Sequence, residues 1–388
     1  MKYTIRPRIV LFSIAALSVA LSASGEPGSE LKTMMFAEAS AEHPRHSEAA
    51  IVEAADGTLL IAWQEYKPGG TGDSDLSPNE IACMRSSDGG HTWSDRKTLV
   101  STPPGHTNCY SPSLIRLDDG SIVLTFMYYL GVDQAGDHIY PPTAAFCWSS
   151  SDNGVTFAER CTLWTNAQVQ FASSTLKRMS GGRIIVACSQ DFGSKAIGDR
   201  YRGGACYSDD GGRTWTLSST WCEAPKRGAM ETQIEELRDG RLFMVMRTQM
   251  GSIYKSYSGD RGVSWSPAET MGIRAPESCP TLGRIPLTGD LLLLWNDNFE
   301  PNAYSHGGKR TPLVAAVSND DGATWGPMRT IENAPDTAFT NPGIAFTSRN
   351  TAIVNYWTSQ YHPNGRMGDD RISLKLAIID VPWLYLSE

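Results

Sequence analysis

Long apolar runs are scarce in this chain of 388 residues. The one that stands out, from about Ile9 to Leu21, follows Lys2, Arg6 and Arg8 and gives way to the small residues Ser22, Ala23 and Ser24. It is too short and wrongly flanked to anchor a protein in a membrane, and it reads as a secretory leader over residues 1–24. No Cys follows it closely, so a lipid anchor is not supported. The expectation is a secreted or periplasmic protein with no stable membrane anchor, folded over residues 25–388. Positive charge is short as well. The formal net charge is −8, and the leader holds three positive residues and no acids, which leaves the remainder near −11. That balance argues against nucleic acid as a partner. Cys and His nowhere fall at zinc-ligating spacing, so no metal is implied.

What the chain has in abundance is repetition. An eight-residue pattern, Ser-x-Asp-x-Gly-x-Thr/Ser-aromatic, occurs at Ser86–Trp93, Ser150–Phe157, Ser208–Trp215, Ser258–Trp265 and Ser318–Trp325. A second pattern, two apolar strands about a tight turn, turns at Asp56-Gly57, Asp119-Gly120, Gly181-Gly182, Asp239-Gly240, Thr288-Gly289 and Arg349-Asn350. From each boxed Asp to the next hairpin turn the spacing is nearly constant, about 30 residues, whereas the stretch from hairpin to next box varies. Repeats of this period predict an array of similar units, and six sheet-like units predict an all-β closed ring, a six-bladed β-propeller of four-stranded antiparallel blades. The box itself is a folding device: its Asp bonds amides ahead of it, its Gly takes a turn conformation, and its aromatic packs under the sheet. Cys83, Cys147 and Cys206 stand at matching positions just before boxes of different units. Equivalent positions on separate blades are far apart, so buried thiols are expected in preference to disulfides.

If the regular hairpin joins the first strand of a blade to the second and the box joins the third to the fourth, both turns lie on one face. The variable connections then lie on the other, where binding groups are usual. Nine residues before each hairpin's second turn residue stand Glu48, Ser111, Ser173, Glu231, Pro280 and Asn341; seven after it stand Gln64, Met127, Ser189, Arg247, Asn296 and Trp357. These strand ends are expected to ring a mostly polar mouth. In the fourth unit, pairing across the hairpin makes Glu231 and Arg247 neighbours, as a site pair or as a plain ion pair. His46 beside Glu48, and His106, Asn108 and Glu277, are further candidates for this face.

The boxes, the six hairpins and the stretch METQIEELRDGRLFMVMRT ahead of a box resemble the bacterial exo-sialidases with BNR repeats, over nearly the whole chain after the leader. The resemblance implies an arginine triad on the substrate carboxylate at Arg45, Arg247 and Arg310, since a guanidinium offers a fixed fork of donors and keeps its charge. It implies a proton donor in the loop after the first hairpin, at Asp75 or Asp73, with Asp75 closer to the next strand. It also implies a Tyr nucleophile, activated by Glu231, at the start of the sixth hairpin. Here the sequence departs, reading Thr340-Asn341, with Tyr356 and Tyr361 farther on. Another Tyr is recruited, or water attacks, or the site binds without cleaving. The expected activity is removal of a terminal acidic sugar, sialic acid or similar, from glycans, with Asp75 and Glu231 catalytic and no cofactor. The alternatives are a non-catalytic carbohydrate-binding propeller, or a hydrolase or lyase for another acidic sugar.

Overall fold

The computed structural model describes residues 29–69, 75–301, 307–368 and 371–386; the expected leader and Asp73 lie outside the described residues. Six antiparallel sheets follow one another along the chain. The first blade runs His46–Glu53, Leu59–Tyr66, Asn79–Ser86 and Ser94–Ser101, in that spatial order. The second, fourth and fifth repeat this meander, with innermost strands Asn108–Arg116, Met230–Glu236 and Thr281–Arg284. The sixth blade shows why only five boxes are present. Its strands Thr337–Phe346, Thr351–Gln360 and Ser373–Asp380 come from the end of the chain, and its outer strand, Leu31–Ala37, comes from the beginning. No turn joins the last two strands, so no box is needed, and backbone pairing of the two ends closes the ring.

The third blade departs from the expected regular meander. Its inner strand is split into Val169–Gln170 and Leu176–Arg178, and its outer one into Thr216–Leu217 and Cys222–Glu223. The break holds Ser174 in a left-handed conformation (φ 57°), from which its hydroxyl donates to the Ala49 carbonyl of the first blade at 3.0 Å.

The core lies between blades. Strands such as Leu242–Arg247 and Leu291–Asn296 are buried throughout because each face meets a neighbouring blade. Apolar clusters form at each successive junction, and one of them joins the sixth blade (Ile353, Trp357, Leu374) to the first (Ile51, Ile61, Trp63). The box aromatics Trp93, Phe157, Trp215, Trp265 and Trp325 seat in these junctions, so they are core and not sugar platforms. In the first box the Ser86 hydroxyl donates to Asp88 at 2.8 Å, and the Gly90 amide donates back to Ser86 Oγ at 2.9 Å. The Thr92 amide and hydroxyl donate to Asp88 at 2.9 and 2.6 Å. The other four boxes repeat these bonds. All eight cysteines are unbonded thiols, and all but Cys161 are buried. Among the described residues, no helix is long and apolar enough to cross a membrane.

Candidate functional site

The innermost strands begin at the face opposite the boxes, and four of them begin with the same irregularity. Glu48, Ser111, Glu231 and Asn341 have φ of 45°, 52°, 43° and 51°, each where the register with the neighbouring strand slips. These are bulges that re-aim a side chain, and a non-glycine residue held in the left-handed region costs on the order of 1 kcal/mol or more. Such strain, repeated at the start of four innermost strands, singles out one face of the ring. All four residues line a single cavity of about 290 Å³ at the mouth of the ring. Arg45, Asp75, Arg247 and Arg310 line it too.

In the fourth blade Met230 pairs with Arg247, and the bulge swings the next residue, Glu231, over the mouth. Arg247 Nη1 donates to Glu231 Oε2 at 2.5 Å, and its Nη2 lies 3.7 Å from Glu277 Oε1. The Cys279 thiol donates to the same Glu231 oxygen at 2.5 Å. Burial alone would raise the pKa of Glu231, but Arg247, the thiol and Arg310 outweigh it and hold the carboxyl below its ordinary value. It is therefore ionised at neutral pH.

Arg45 directly precedes the first inner strand, where the His46 amide is tied to the Ile372 carbonyl at 2.8 Å. Its guanidinium lies over the ring of Tyr66, 4.6 Å from the centroid, and donates to Asp75 Oδ1 at 2.7 Å and to Ser47 Oγ at 3.2 Å. The Asp75 loop is fixed by Asn108, whose amide nitrogen donates to the Asp75 and Ser77 carbonyls at 2.5 and 3.1 Å. Arg310, in the fifth blade, differs from the other two. Its Nη1 donates to Thr340 Oγ1 at 2.8 Å and its Nη2 to the Glu277 carbonyl at 3.1 Å. Among the described residues it has no carboxylate partner, and its Nε is buried without a hydrogen bond. Burial and the nearby Arg247 lower its pKa, so this cation is held in place by neutral oxygens only.

Other candidates sit elsewhere. His46 accepts from Trp63 Nε1 at 3.1 Å, outside the cavity lining, and burial pushes its pKa down to about 4. His106 stands edge-on to Tyr128, and Asn108 is taken up by the Asp75 loop. Glu277 is turned to Arg227 and to Gln249 Nε2, the latter at 3.1 Å. None of these three lines the cavity. Tyr356 lies in the junction of the fifth and sixth blades, its hydroxyl donating to Glu332 at 2.7 Å, and Tyr361 accepts the Arg310 amide at 2.6 Å. Neither reaches the mouth. The tyrosines that do line it are Tyr110, Tyr129, Tyr140 and Tyr201. Tyr110 adjoins the ring position Ser111, a signal present in the sequence; Tyr201 opens the third strand of the third blade, and Tyr140 and Arg227 come from variable connections that carry no such signal. Among the described residues, no group of His, Cys, Asp and Glu is arranged to hold a metal ion.

Comparison with known proteins agrees with this architecture. A sialidase of Micromonospora viridifaciens is 24% identical over 361 residues, covering 83% of this chain and 53% of the relative. A sialidase of Paraclostridium sordellii is 27% identical over 232 residues, covering 54% of each. The chain thus spans about half the length of the curated relatives it matches. Among solved structures, the Hadza microbial sialidase Hz136 superposes with a TM-score of 0.70 at 16% identity, over 88% of this chain and 66% of that one, a likeness of fold. Residues 57–361 match the model of the BNR repeat-like domain, and by that match the chain belongs to the BNR repeat-like domain family, as a six-bladed propeller of sialidase type.

Proposed function

We propose that the chain is a secreted or periplasmic glycoside hydrolase that removes a terminal acidic sugar, sialic acid or a close relative, from glycans. The observation that carries this reading is Arg310, a buried guanidinium at the cavity with no ion-pair partner among the described residues, its charge answered by Glu231 only through space. A buried charge without a direct partner is unfavourable, on the order of a few kcal/mol, and a ligand carboxylate relieves it. Arg247 and Arg45 complete the clamp. In the free protein Asp75 occupies Arg45; an incoming carboxylate displaces it, and the released Asp75, on a loop at the rim, takes up a proton from solvent and gives it to the leaving oxygen. Glu231, held ionised by Arg247, orients the attacking group. The relatives named sialidase support an acidic sugar as the substrate class.

With Thr340 and Asn341 at the nucleophile's place, water attacks directly, and a single displacement inverts the anomeric carbon. Incubation with a fluorogenic sialoside, with proton NMR of the first-formed anomer, tests this. Inverted product is expected, and a retained anomer means that a cavity tyrosine acts as nucleophile. The missing Tyr also favours one rival, a propeller that binds acidic sugars without cleaving them. Binding of the free sugar without turnover would establish that rival, and neither binding nor turnover would point to another acidic sugar.

A further inference from the structure

The three carboxylates facing the mouth are not equivalent. Asp75 is paired with Arg45 at 2.7 Å, and Glu231 with Arg247 at 2.5 Å. Glu48 has no salt-bridge partner among the described residues. Its two hydrogen bonds come from neutral groups, Asn341 Nδ2 at 2.5 Å and Trp357 Nε1 at 3.3 Å, and both fall on Oε1. Oε2 is left for what enters the cavity that Glu48 lines.

We infer that Glu48 is the general base of this mouth, taking a proton from the water that attacks in place of a tyrosine, with Asn341 holding its carboxylate for that task. The inference rests on the hydrolytic reading above. Asn341 stands where the resemblance puts a nucleophile, and its orientation is determined by its neighbours. Its Oδ1 accepts from the Thr340 hydroxyl at 2.8 Å, which turns Nδ2 toward Glu48. The bulge that gives Glu48 its φ of 45° directs this side chain across the mouth to the sixth blade. A strained backbone and a dedicated amide donor both serve a residue that repeats, in the first blade, the position of Glu231 in the fourth.

Base strength separates the two glutamates. Glu231 is held below the ordinary carboxylate value, which makes it a weak base. Burial, and then the charge of Glu231, push Glu48 up to about 7, against the pull of the Asn341 bond and of Arg45. Asp75, Tyr66, Tyr110 and Cys279 also face it. A base matched to neutral pH is the efficient one. In the step, the water oxygen bonds to the anomeric carbon and its proton passes to Glu48 Oε2. The glycosidic C–O bond breaks toward the leaving oxygen, which takes the proton of Asp75.

The test is Glu48→Gln in the full chain, beside Glu231→Gln. Gln keeps the acceptor for Asn341 and Trp357 but cannot take the proton. E48Q is expected to lose about 100-fold or more in kcat, to bind the free acidic sugar as the wild type does, and to lose the rise of kcat/KM through pH 7. Added azide, which needs no base, should restore turnover in E48Q and yield an inverted glycosyl azide. E48Q that keeps both turnover and the pH limb overturns the inference while leaving the hydrolytic reading intact. Carboxyl carbon NMR of the ligand-free protein supplies an arm independent of substrate: the resonance missing from E48Q should titrate near pH 7 in the wild type, and an ordinary glutamate midpoint overturns the inference. A wild type that binds acidic sugars but releases none sinks the hydrolytic reading itself, and the base role with it.

Discussion

On one face of the ring, five Asp turns make the same set of hydrogen bonds within eight residues of chain. On the other, the innermost strands begin in bulges at Glu48, Ser111, Glu231 and Asn341, and Glu48 and Asn341 bond to one another between two blades. The box carboxylates are exposed, and amides and hydroxyls of their own turn hold their pKa values below the ordinary range, to about 2 for Asp320. Of the mouth carboxylates Glu48 is buried and Glu231 and Asp75 are half-buried, and partners come from farther along the chain: Asn341 reaches Glu48 from 293 positions away. Local satisfaction makes the box face a source of stability that can be repeated. Non-local satisfaction cannot be copied from blade to blade, so the mouth is where the ring stops repeating and where charge is held at some cost to the fold.

The sharpest way to break this contrast is to remove Arg310, the mouth cation that has no ion-pair partner among the described residues. Arg310→Met should weaken binding of a carboxylated sugar by about 2–5 kcal/mol, because the ligand's charge then lacks its buried partner. The same change should leave thermal stability unchanged or raised, since a buried cation is replaced by an apolar chain of similar length. Calorimetric titration with an acidic sugar and with its neutral analogue, together with a melting curve, checks both halves. Normal binding of the acidic sugar would mean the clamp is placed wrongly.

Proton linkage should separate the faces next, with opposite signs. Glu48 has its folded pKa raised, so the stability tied to its protonated form is complete below the unfolded value near 4.5 and is lost as pH rises to about 7. The loss amounts to as much as about 3 kcal/mol at one pKa unit per 1.4 kcal/mol. The box aspartates have theirs lowered, so their contribution is present above the unfolded value near 3.8 and disappears as pH falls below it. Denaturant midpoints of wild type and Glu48→Gln across pH 4 to 8 should therefore diverge, with E48Q flatter. Parallel curves would show that Glu48 titrates normally.

The face built from local chemistry was legible in the sequence, and the other only in part. Boxes and hairpins announce themselves through Asp and Gly at fixed offsets, and the pairing about the fourth hairpin turn makes Glu231 and Arg247 neighbours, as the structure has them. Arg45, Asp75 and Arg310 were placed by resemblance, and all three line the cavity. The bulges were not legible, because Glu48, Ser111, Glu231 and Asn341 take a conformation for which sequences usually use Gly. Without them Glu48 reads as a strand end beside His46, whereas of the two only Glu48 lines the cavity. The split inner strand of the third blade was hidden for a similar reason: Gly181-Gly182 signals a regular hairpin, and nothing near Ser174 signals its reach to the first blade. Tyr140 and Arg227 arrive from connections whose path depends on tertiary packing.

The smallest effect expected is on the repeating face, and it should be one of stability alone. Asp210 accepts the Thr214 amide and hydroxyl at 2.9 and 2.7 Å and the Ser208 hydroxyl at 2.8 Å, all within its own turn. Asp210→Ala removes these acceptors where water can replace part of what is lost, so about 1–2 kcal/mol is expected, far less than for a buried group. Gly212 is the stricter position. Its φ of 86° disfavours any side chain, and a Cβ there would lie 3.3 Å from Cys147 Sγ in the second blade. Gly212→Ala should thus cost at least as much as Asp210→Ala and loosen the junction of the second and third blades. Neither variant should change turnover or sugar affinity per folded molecule, because the box lies across the full depth of the blade from the cavity. Urea unfolding paired with active-site titration measures both quantities on one sample. A box variant with wild-type stability and lost sugar binding would reverse the assignment of the two faces.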